Sequence, residues 1–242
     1  IRIKELHLIL TIKKYFLKKG GIFLRVLEIG CGDGFQTWIW ERKGFDTISV
    51  DITNNRLKYK PQNFIIADAH SLPFRSNAFD IVFSSNVLEH LKDRIKALQE
   101  TVRVAKSNSM ILIIVPSRIY KILSLLIPLN YYIHLLLKIF KEKRVNIQEL
   151  VPPTHGEYTS HASELRNYGL IWWRKLFQRA SSSVLYCNSL CPFKFVINPL
   201  IPYISVTMNN ILRASSAYIF ILKPDKQKLI TSTKTAFETR RK

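Results

Sequence analysis

The sequence predicts an α/β fold with a mostly parallel sheet, and three features of the chain support this prediction. Short apolar runs that end in turn residues alternate with helical patterns from about residue 24 onward. The first run, residues 26–29, ends in the glycine-rich segment 30–34. The second run, residues 47–50, brings Asp51 to a strand end about 20 positions after the first glycine. At 242 residues, the chain is long enough for one domain with a large core.

The glycine-rich segment predicts a ligand site. Glycine lets the backbone turn sharply and lets a ligand approach without a Cβ atom in the way. Asp51 follows at a spacing that suits a side chain accepting hydrogen bonds from both hydroxyls of a ribose. We therefore expect an adenosine-containing cofactor at the carboxyl ends of the parallel strands.

The details of the loop argue against a nicotinamide dinucleotide. A dinucleotide-binding loop has the pattern Gly-x-Gly-x-x-Gly, and here Phe35 stands where its third glycine would be. Glu28 lies at the mouth of the strand, where a carboxylate would repel a pyrophosphate but would suit an ammonium group. An NAD-dependent dehydrogenase is therefore disfavoured.

Four further elements follow the second strand. A short apolar run at 64–67 ends at Asp68, and a longer one occupies 79–86. A helical pattern then extends from Val87 to Lys106, and a strand is predicted at 110–115. The connection between them contains Asn108, which tolerates positive φ and could form a turn.

Four separated motifs in this region are shared with a known family. They read Asp-Ala-x-x-Leu-Pro-Phe at 68–74, Phe-Asp-x-Val at 79–82, Leu-Glu-His at 88–90 and Val-Pro at 115–116. Together with Glu-x-Gly-x-Gly-x-Gly, residues 24–116 resemble the class I S-adenosylmethionine-dependent methyltransferases of type 11, the ubiquinone- and menaquinone-biosynthesis type. The resemblance implies a Rossmann-like fold, with a seven-stranded, mostly parallel sheet flanked by helices. It also implies an enzyme that uses S-adenosylmethionine.

The resemblance assigns cofactor roles to eight residues. Glu28, Gly30 and Gly32 would form the methionine-binding loop. The remaining five would hold the nucleoside and the sulfonium. Asp51 would bind the ribose, Ile52 would pack on the adenine, Asp68 and Ala69 would bind its edge, and Asn86 would line the floor near the sulfonium.

We predict one domain over residues 1–242, with core segments at 22–116 and 160–222. The other segments are a lid and acceptor insertion at 117–159, an apolar excursion at 188–212 and a polar basic tail at 223–242. Charged and polar residues interrupt the apolar stretch 119–140, so it is not predicted to span a membrane. It is interpreted either as a hydrophobic lid over the active site, after the fifth strand, or as an interfacial membrane contact. Both interpretations favour a small or lipid-linked acceptor.

Candidate catalytic residues cluster near the end of this insertion, after its apolar stretch. His155 titrates in the range needed for a base toward an oxygen acceptor, Glu157 could orient it, and Tyr158 could bind the acceptor. His90 is a further candidate, because it begins the helix after the fourth strand.

Charge and cysteine content limit the partners. The formal net charge of +20 favours anionic partners, such as an anionic membrane surface, nucleic acid or phosphorylated substrates. The three cysteines have no zinc spacing, so no metal is predicted. We expect a cytoplasmic protein, with peripheral attachment to the inner face of a membrane as an open alternative.

Two other functions remain open. The positive charge is compatible with an RNA methyltransferase, although amino-directed enzymes place Asn or Asp before Pro-Pro and an aromatic residue, where this chain has Ser-Ser-Asn-Val at 84–87. A non-catalytic, methyltransferase-like scaffold at a membrane is the third alternative. The intact cofactor motif disfavours it.

Overall fold

The computed structural model describes residues 24–119, 121–122, 160–180, 182–190 and 217–227. The elements in chain order are β1 (Arg25–Ile29), α1 (Phe35–Arg42), β2 (Asp46–Asp51), β3 (Phe64–Ile66), β4 (Phe79–Ser85), a 3-10 helix (Leu88–His90), α2 (Arg94–Val104), β5 (Ala105–Pro116), α3 (His161–Asn167), α4 (Leu170–Arg179), β6 (Ser182–Leu190) and β7 (Ala217–Pro224).

The strands form one seven-stranded sheet in the order β3-β2-β1-β4-β5-β7-β6. The first five are parallel, and β7 pairs antiparallel with both β5 and β6. The predicted fold class, a mostly parallel sheet flanked by helices, is therefore confirmed. The strand order reverses between β1 and β4, and ligands in such sheets bind at the carboxyl ends of the strands beside this reversal.

Helices cover both faces of the sheet, and the central strands are therefore buried on both sides. On one face, Leu27 and Val82 belong to the same core cluster as Leu98 of α2 and Phe177 of α4. On the other face, the core cluster contains Trp40 of α1 with apolar residues of β1, β4, β5 and β7. Burial on both faces explains why these strands read as continuous apolar runs in the sequence.

The connection before β5 differs from the prediction. Helix α2 ends at Val104, two residues earlier than expected, and β5 begins directly at Ala105. Its pairing with β4 shifts between Phe79, opposite Ala105, and Ile81, opposite Met110. The extra residues are thus accommodated as an irregularity within the strand. Asn108 is not among the described non-glycine residues with positive φ.

A buried ion pair joins the chain after β5 to α3. Lys121 Nζ lies 2.6 Å from Glu164 Oε2, and both side chains are almost fully buried. Nearby, Arg118 Nε donates to the carbonyl oxygen of Leu165 at 2.8 Å. Arg118 and Lys121 therefore hold the chain after β5 against α3.

The predicted domain boundaries stay a prediction. Most of the insertion 117–159, the excursion 188–212 and the tail 223–242 lie outside the described residues, although β7 extends to Pro224. Among the helices that the structure describes, none is long and apolar enough to cross a membrane.

Candidate cofactor site

A cavity of about 440 Å³ opens at the carboxyl ends of β1, β2, β3 and β4, beside the reversal of strand order. Its walls come from the loops that follow these strands. They comprise Ile29, Gly30, Cys31, Gly32, Asp33, Gln36, Val50, Asp51, Ile52, Arg56, Ala67, Asp68, Ala69, Ser85, Asn86, Val87, His90 and Leu91.

The glycine loop after β1 bends toward β2 and is held there by hydrogen bonds. Gly30 N donates to the carbonyl oxygen of Val50 at 2.8 Å, and Gly32 N donates to Asp51 Oδ2 at 2.8 Å. Gly30, Gly32 and Gly34 all have positive φ, between 56° and 79°. These angles explain the run of glycines, since side chains disfavour this backbone region.

The three glycines differ in what a Cβ atom would meet. At Gly30 it would overlap the side chain of Val87, and at Gly34 it would overlap the main-chain oxygen of Tyr59. At Gly32 a Cβ atom would meet no protein atom within 4 Å. Gly30 and Gly34 are therefore required by packing, whereas Gly32 leaves open space at the cavity wall.

Asp51 ends β2 at the cavity wall, as the sequence predicts. Its side chain is 5% exposed. Oδ2 accepts from Gly32 N, and Oδ1 accepts weakly from Thr53 N at 3.4 Å. Arg56 Nη2 approaches Oδ1 to 3.6 Å from the solvent side. A carboxylate held in this way can offer its remaining acceptor positions to ribose hydroxyls.

Asp68 and its neighbours form a second polar corner of the cavity. Asp68 is half exposed, and its Oδ1 accepts from His70 N at 2.8 Å and contacts His70 Nδ1 at 2.6 Å. The backbone hydrogen bond from His70, followed by that from its ring, holds the pKa of Asp68 below its usual value. Ala69 also borders the cavity, and the side chain of Ile52 is exposed there, as a platform for a flat ring would be.

Asn86 and His90 border the cavity from the end of β4. Asn86 adopts positive φ (55°), and its N–H donates to the carbonyl oxygen of Ile114 at 2.9 Å. His90 ends the 3-10 helix that follows. The structure thus brings seven of the eight predicted cofactor residues, and the candidate base His90, to one cavity.

Glu28 is the exception among the cofactor residues. It is 1% exposed and is not among the residues that line the cavity. Its Oε2 accepts from Thr37 Oγ1 at 2.5 Å, which ties β1 to α1 beneath the glycine loop. The hydrogen bond shown for the Glu28 carboxylate is therefore to Thr37 of α1. A direct role of Glu28 in binding the methionine group stays a prediction.

Two buried titratable residues near the cavity were not singled out by sequence reasoning. Burial, with further contributions from Glu28 and Asp51, raises the pKa of the Cys31 thiol to about 12. Burial raises the pKa of Glu89 to about 7, and its Oε2 has no hydrogen-bond partner among the described residues. The Leu-Glu-His motif marked the position of Glu89, but its burial depends on tertiary packing.

Glu89→Gln should change how stability depends on pH. The folded protein binds the Glu89 proton more tightly than the unfolded chain does, whose pKa is near 4.5. This contribution to stability is complete below that value and is lost as pH rises through about 7. We expect the variant to lose roughly 2 kcal/mol less stability than the parent between pH 5 and pH 8. Urea unfolding at the two pH values measures this, and identical pH dependence in both proteins would contradict it.

Other predicted residues are outside the described part of the chain. These are the catalytic candidates His155, Glu157 and Tyr158. Within the described residues there is no cluster of three or more His, Cys, Asp or Glu side chains that could hold a metal ion.

Comparison with known proteins identifies the segment that carries this site. The family described as "Methyltransferase domain" matches residues 27–113, which include every residue that lines the cavity. This segment is a class I methyltransferase domain of type 11. S-adenosylmethionine is the cofactor of the family, and the site fits it, since the loop is open at Gly32 and carboxylates stand at two corners.

Individual proteins agree with the assignment of the methyltransferase domain. The chain is 32% identical over 92 residues to a malonyl-[acyl-carrier protein] O-methyltransferase of Hamiltonella defensa, covering 36% of each protein. It is 33% identical over 94 residues to a demethylmenaquinone methyltransferase of Renibacterium salmoninarum, covering 37% of this chain and 40% of that protein. The chain spans less than half the length of the curated relatives that it matches first.

A solved S-adenosylmethionine-dependent methyltransferase from Methanosarcina mazei has the same fold as this chain. The TM-score is 0.54 at 15% identity, over 84% of this chain and 93% of that one. This likeness supports the Rossmann-like fold of the methyltransferase domain.

Proposed function

We propose that this protein transfers a methyl group from S-adenosylmethionine to an oxygen atom of a small or lipid-linked acceptor. The observation that carries the proposal is the cavity beside the glycine loop, in which Asp51 and Asp68 present carboxylates from adjacent strand ends. Two acceptor groups on one wall, with an open loop at Gly32 between β1 and α1, suit a nucleoside with a charged amino-acid arm.

When bound, the cofactor would supply an activated methyl group on a sulfonium, from which a neutral thioether departs as a good leaving group. The protein's contribution is therefore alignment and the exclusion of water rather than strong acid–base chemistry. Asp51 would fix the ribose, Asp68 would fix the base, and the glycine loop would fix the amino-acid end. The carboxyl-edge residues Asn86 and His90 would then lie closest to the acceptor.

The acceptor class is supported by two relatives. One is named for O-methylation of a malonyl group on acyl-carrier protein, and the other for methylation of demethylmenaquinone. A small acid on a carrier and a lipid-soluble quinone are both compatible with an apolar insertion after β5. The net charge of +20 suits an acceptor or carrier with negative charge, or the surface of an anionic membrane.

Calorimetric titration with S-adenosylmethionine, and separately with NAD, tests the cofactor. Micromolar binding of S-adenosylmethionine alone is expected. Labelled methyl transfer to malonyl and isoprenoid-quinone acceptors, presented free and on liposomes of anionic or neutral lipid, then tests the acceptor class. Absence of cofactor binding would overturn the proposal and favour a non-catalytic scaffold, whereas transfer to RNA alone would replace the acceptor class.

His155→Ala is expected to lower turnover while leaving cofactor affinity unchanged. The reason is that an oxygen acceptor benefits from a base, and general bases contribute about 10²–10⁴-fold to rate. His90→Ala is the matched comparison, because His90 lines the cofactor cavity. If turnover survives in His155→Ala but falls in His90→Ala, then the base is His90.

A further inference from the structure

His70 contacts the Asp68 carboxylate at a single oxygen, Oδ1. Its backbone N–H lies 2.8 Å from Asp68 Oδ1, and its ring Nδ1 lies 2.6 Å from the same atom. The other oxygen, Oδ2, makes no hydrogen bond within the described part of the chain. Because Asp68 borders the cavity and is half exposed, Oδ2 is available to a ligand.

A third contact fixes the tautomer of His70. The backbone N–H of Asp93, the N-cap residue of α2, donates to His70 Nε2 at 3.4 Å. An N–H group can donate only to an unprotonated ring nitrogen, so the ring proton is on Nδ1. His70 is therefore a donor toward Asp68, and its ring, with only 20% of the side chain exposed, is held at both nitrogens.

We propose that His70 is a positioning residue for purine recognition, which directs Asp68 Oδ2 into the cavity as an acceptor and thereby selects a 6-amino purine over a 6-oxo purine. The inference rests on the proposed function, in which Asp68 binds the base of the cofactor. The hydrogen bonds from His70 also keep the pKa of Asp68 low, so the carboxylate stays ionised and cannot donate at neutral pH.

The selectivity follows from donors and acceptors. The 6-amino group of adenine donates to Oδ2, whereas the 6-oxo group of hypoxanthine would place one acceptor against another. Leaving two such groups unpaired costs about tenfold or more in affinity. Without the His70 ring, only the backbone N–H of residue 70 would hold Oδ1, so the carboxylate could turn Oδ2 away from the cavity and this penalty would fall.

The first test compares S-adenosylhomocysteine with S-inosylhomocysteine, its 6-oxo counterpart, by calorimetric titration of the full chain. The parent protein should prefer the 6-amino compound by about tenfold or more. His70→Ala should reduce this ratio several-fold, and His70→Asn should restore it because the Asn amide can donate in place of Nδ1. Arg75→Ala, an exposed change on the same segment, is the matched control and should leave the ratio unchanged.

The second test uses Asp68→Asn. Two donors from His70 would capture the amide oxygen, so the amide nitrogen would face the cavity and the preference should invert toward the 6-oxo compound. In the double variant Asp68→Asn with His70→Ala, only the backbone N–H of residue 70 still holds the amide oxygen, so the amide flips more readily. The inverted preference should then be reduced toward no preference.

The outcomes separate this inference from the proposed function. A structural role for His70 alone would weaken both ligands in parallel and leave their ratio intact. An unchanged ratio in His70→Ala, or the same preference in Asp68→Asn with and without His70, would overturn the role of His70 while the cofactor assignment stands. Failure of the correctly folded parent to bind S-adenosylhomocysteine would overturn both.

Discussion

Gly34→Ala is expected to destabilise the folded protein by about 3 kcal/mol or more. Gly34 has φ of 79°, a region that costs an ordinary residue about 1–2 kcal/mol. In addition, the new Cβ atom would overlap the main-chain oxygen of Tyr59. That oxygen cannot simply rotate away, because Tyr59 N is hydrogen-bonded to Asp33 O at 3.0 Å. Relieving overlap in packed structure typically costs a further 1–3 kcal/mol or so. Urea unfolding measures the change.

Gly32→Ala is the matched control for this prediction. The residue has the same backbone region, with φ of 56°, but a Cβ atom there meets no protein atom. We expect a loss of stability of only about 1–2 kcal/mol, together with loss of measurable S-adenosylmethionine binding because the methyl group would occupy ligand space. Equal destabilisation by the two substitutions would show that packing against Tyr59 is not what Gly34 provides.

Asp51→Ala is expected to weaken S-adenosylmethionine binding by about 10- to 100-fold, which corresponds to roughly 1–3 kcal/mol. Two effects combine. The ribose loses a charged acceptor, and the glycine loop loses the hydrogen bond from Gly32 N to Asp51 Oδ2. Calorimetric titration gives the affinity, and thermal unfolding shows whether the fold persists.

Asp51→Asn separates these two effects. Its amide oxygen can still accept from Gly32 N, but its amide nitrogen cannot accept from a ribose hydroxyl. Affinity between those of the parent and Asp51→Ala is expected. An affinity equal to the parent's in Asp51→Ala would mean that the carboxylate does not contact the cofactor, whatever the family motif implies.

The sequence could predict those parts of the site in which the functional side chains stand at the ends of strands. Parallel strands deliver their last residues to one edge of the sheet, so Asp51, Asp68 and Asn86 are brought together once the strands are recognised. Positive φ makes glycine almost obligatory in the loop after β1. The run of glycines in the sequence therefore predicts this turn as well.

Other features depend on contacts that no local pattern specifies. Glu28 belongs to the motif, yet its carboxylate binds Thr37, whose position depends on how α1 packs on the sheet. The contact of His70 with the N-terminus of α2 joins residues 23 positions apart through the fold. The sequence leaves a turn at Asn108 possible, and the irregular start of β5 is not distinguishable from it by pattern, because Asn is compatible with both a turn and a strand irregularity.

The buried Lys121–Glu164 pair has a consequence for how such proteins can diversify. It joins two chain positions 43 residues apart, and the cost of closing a flexible loop rises only logarithmically with its length, by about 0.6 kcal/mol for each doubling. Insertions or deletions between these two residues therefore change the free energy of folding very little. Evolution can therefore exchange most of the intervening stretch while the cavity at the carboxyl ends of β1, β2, β3 and β4 stays unchanged.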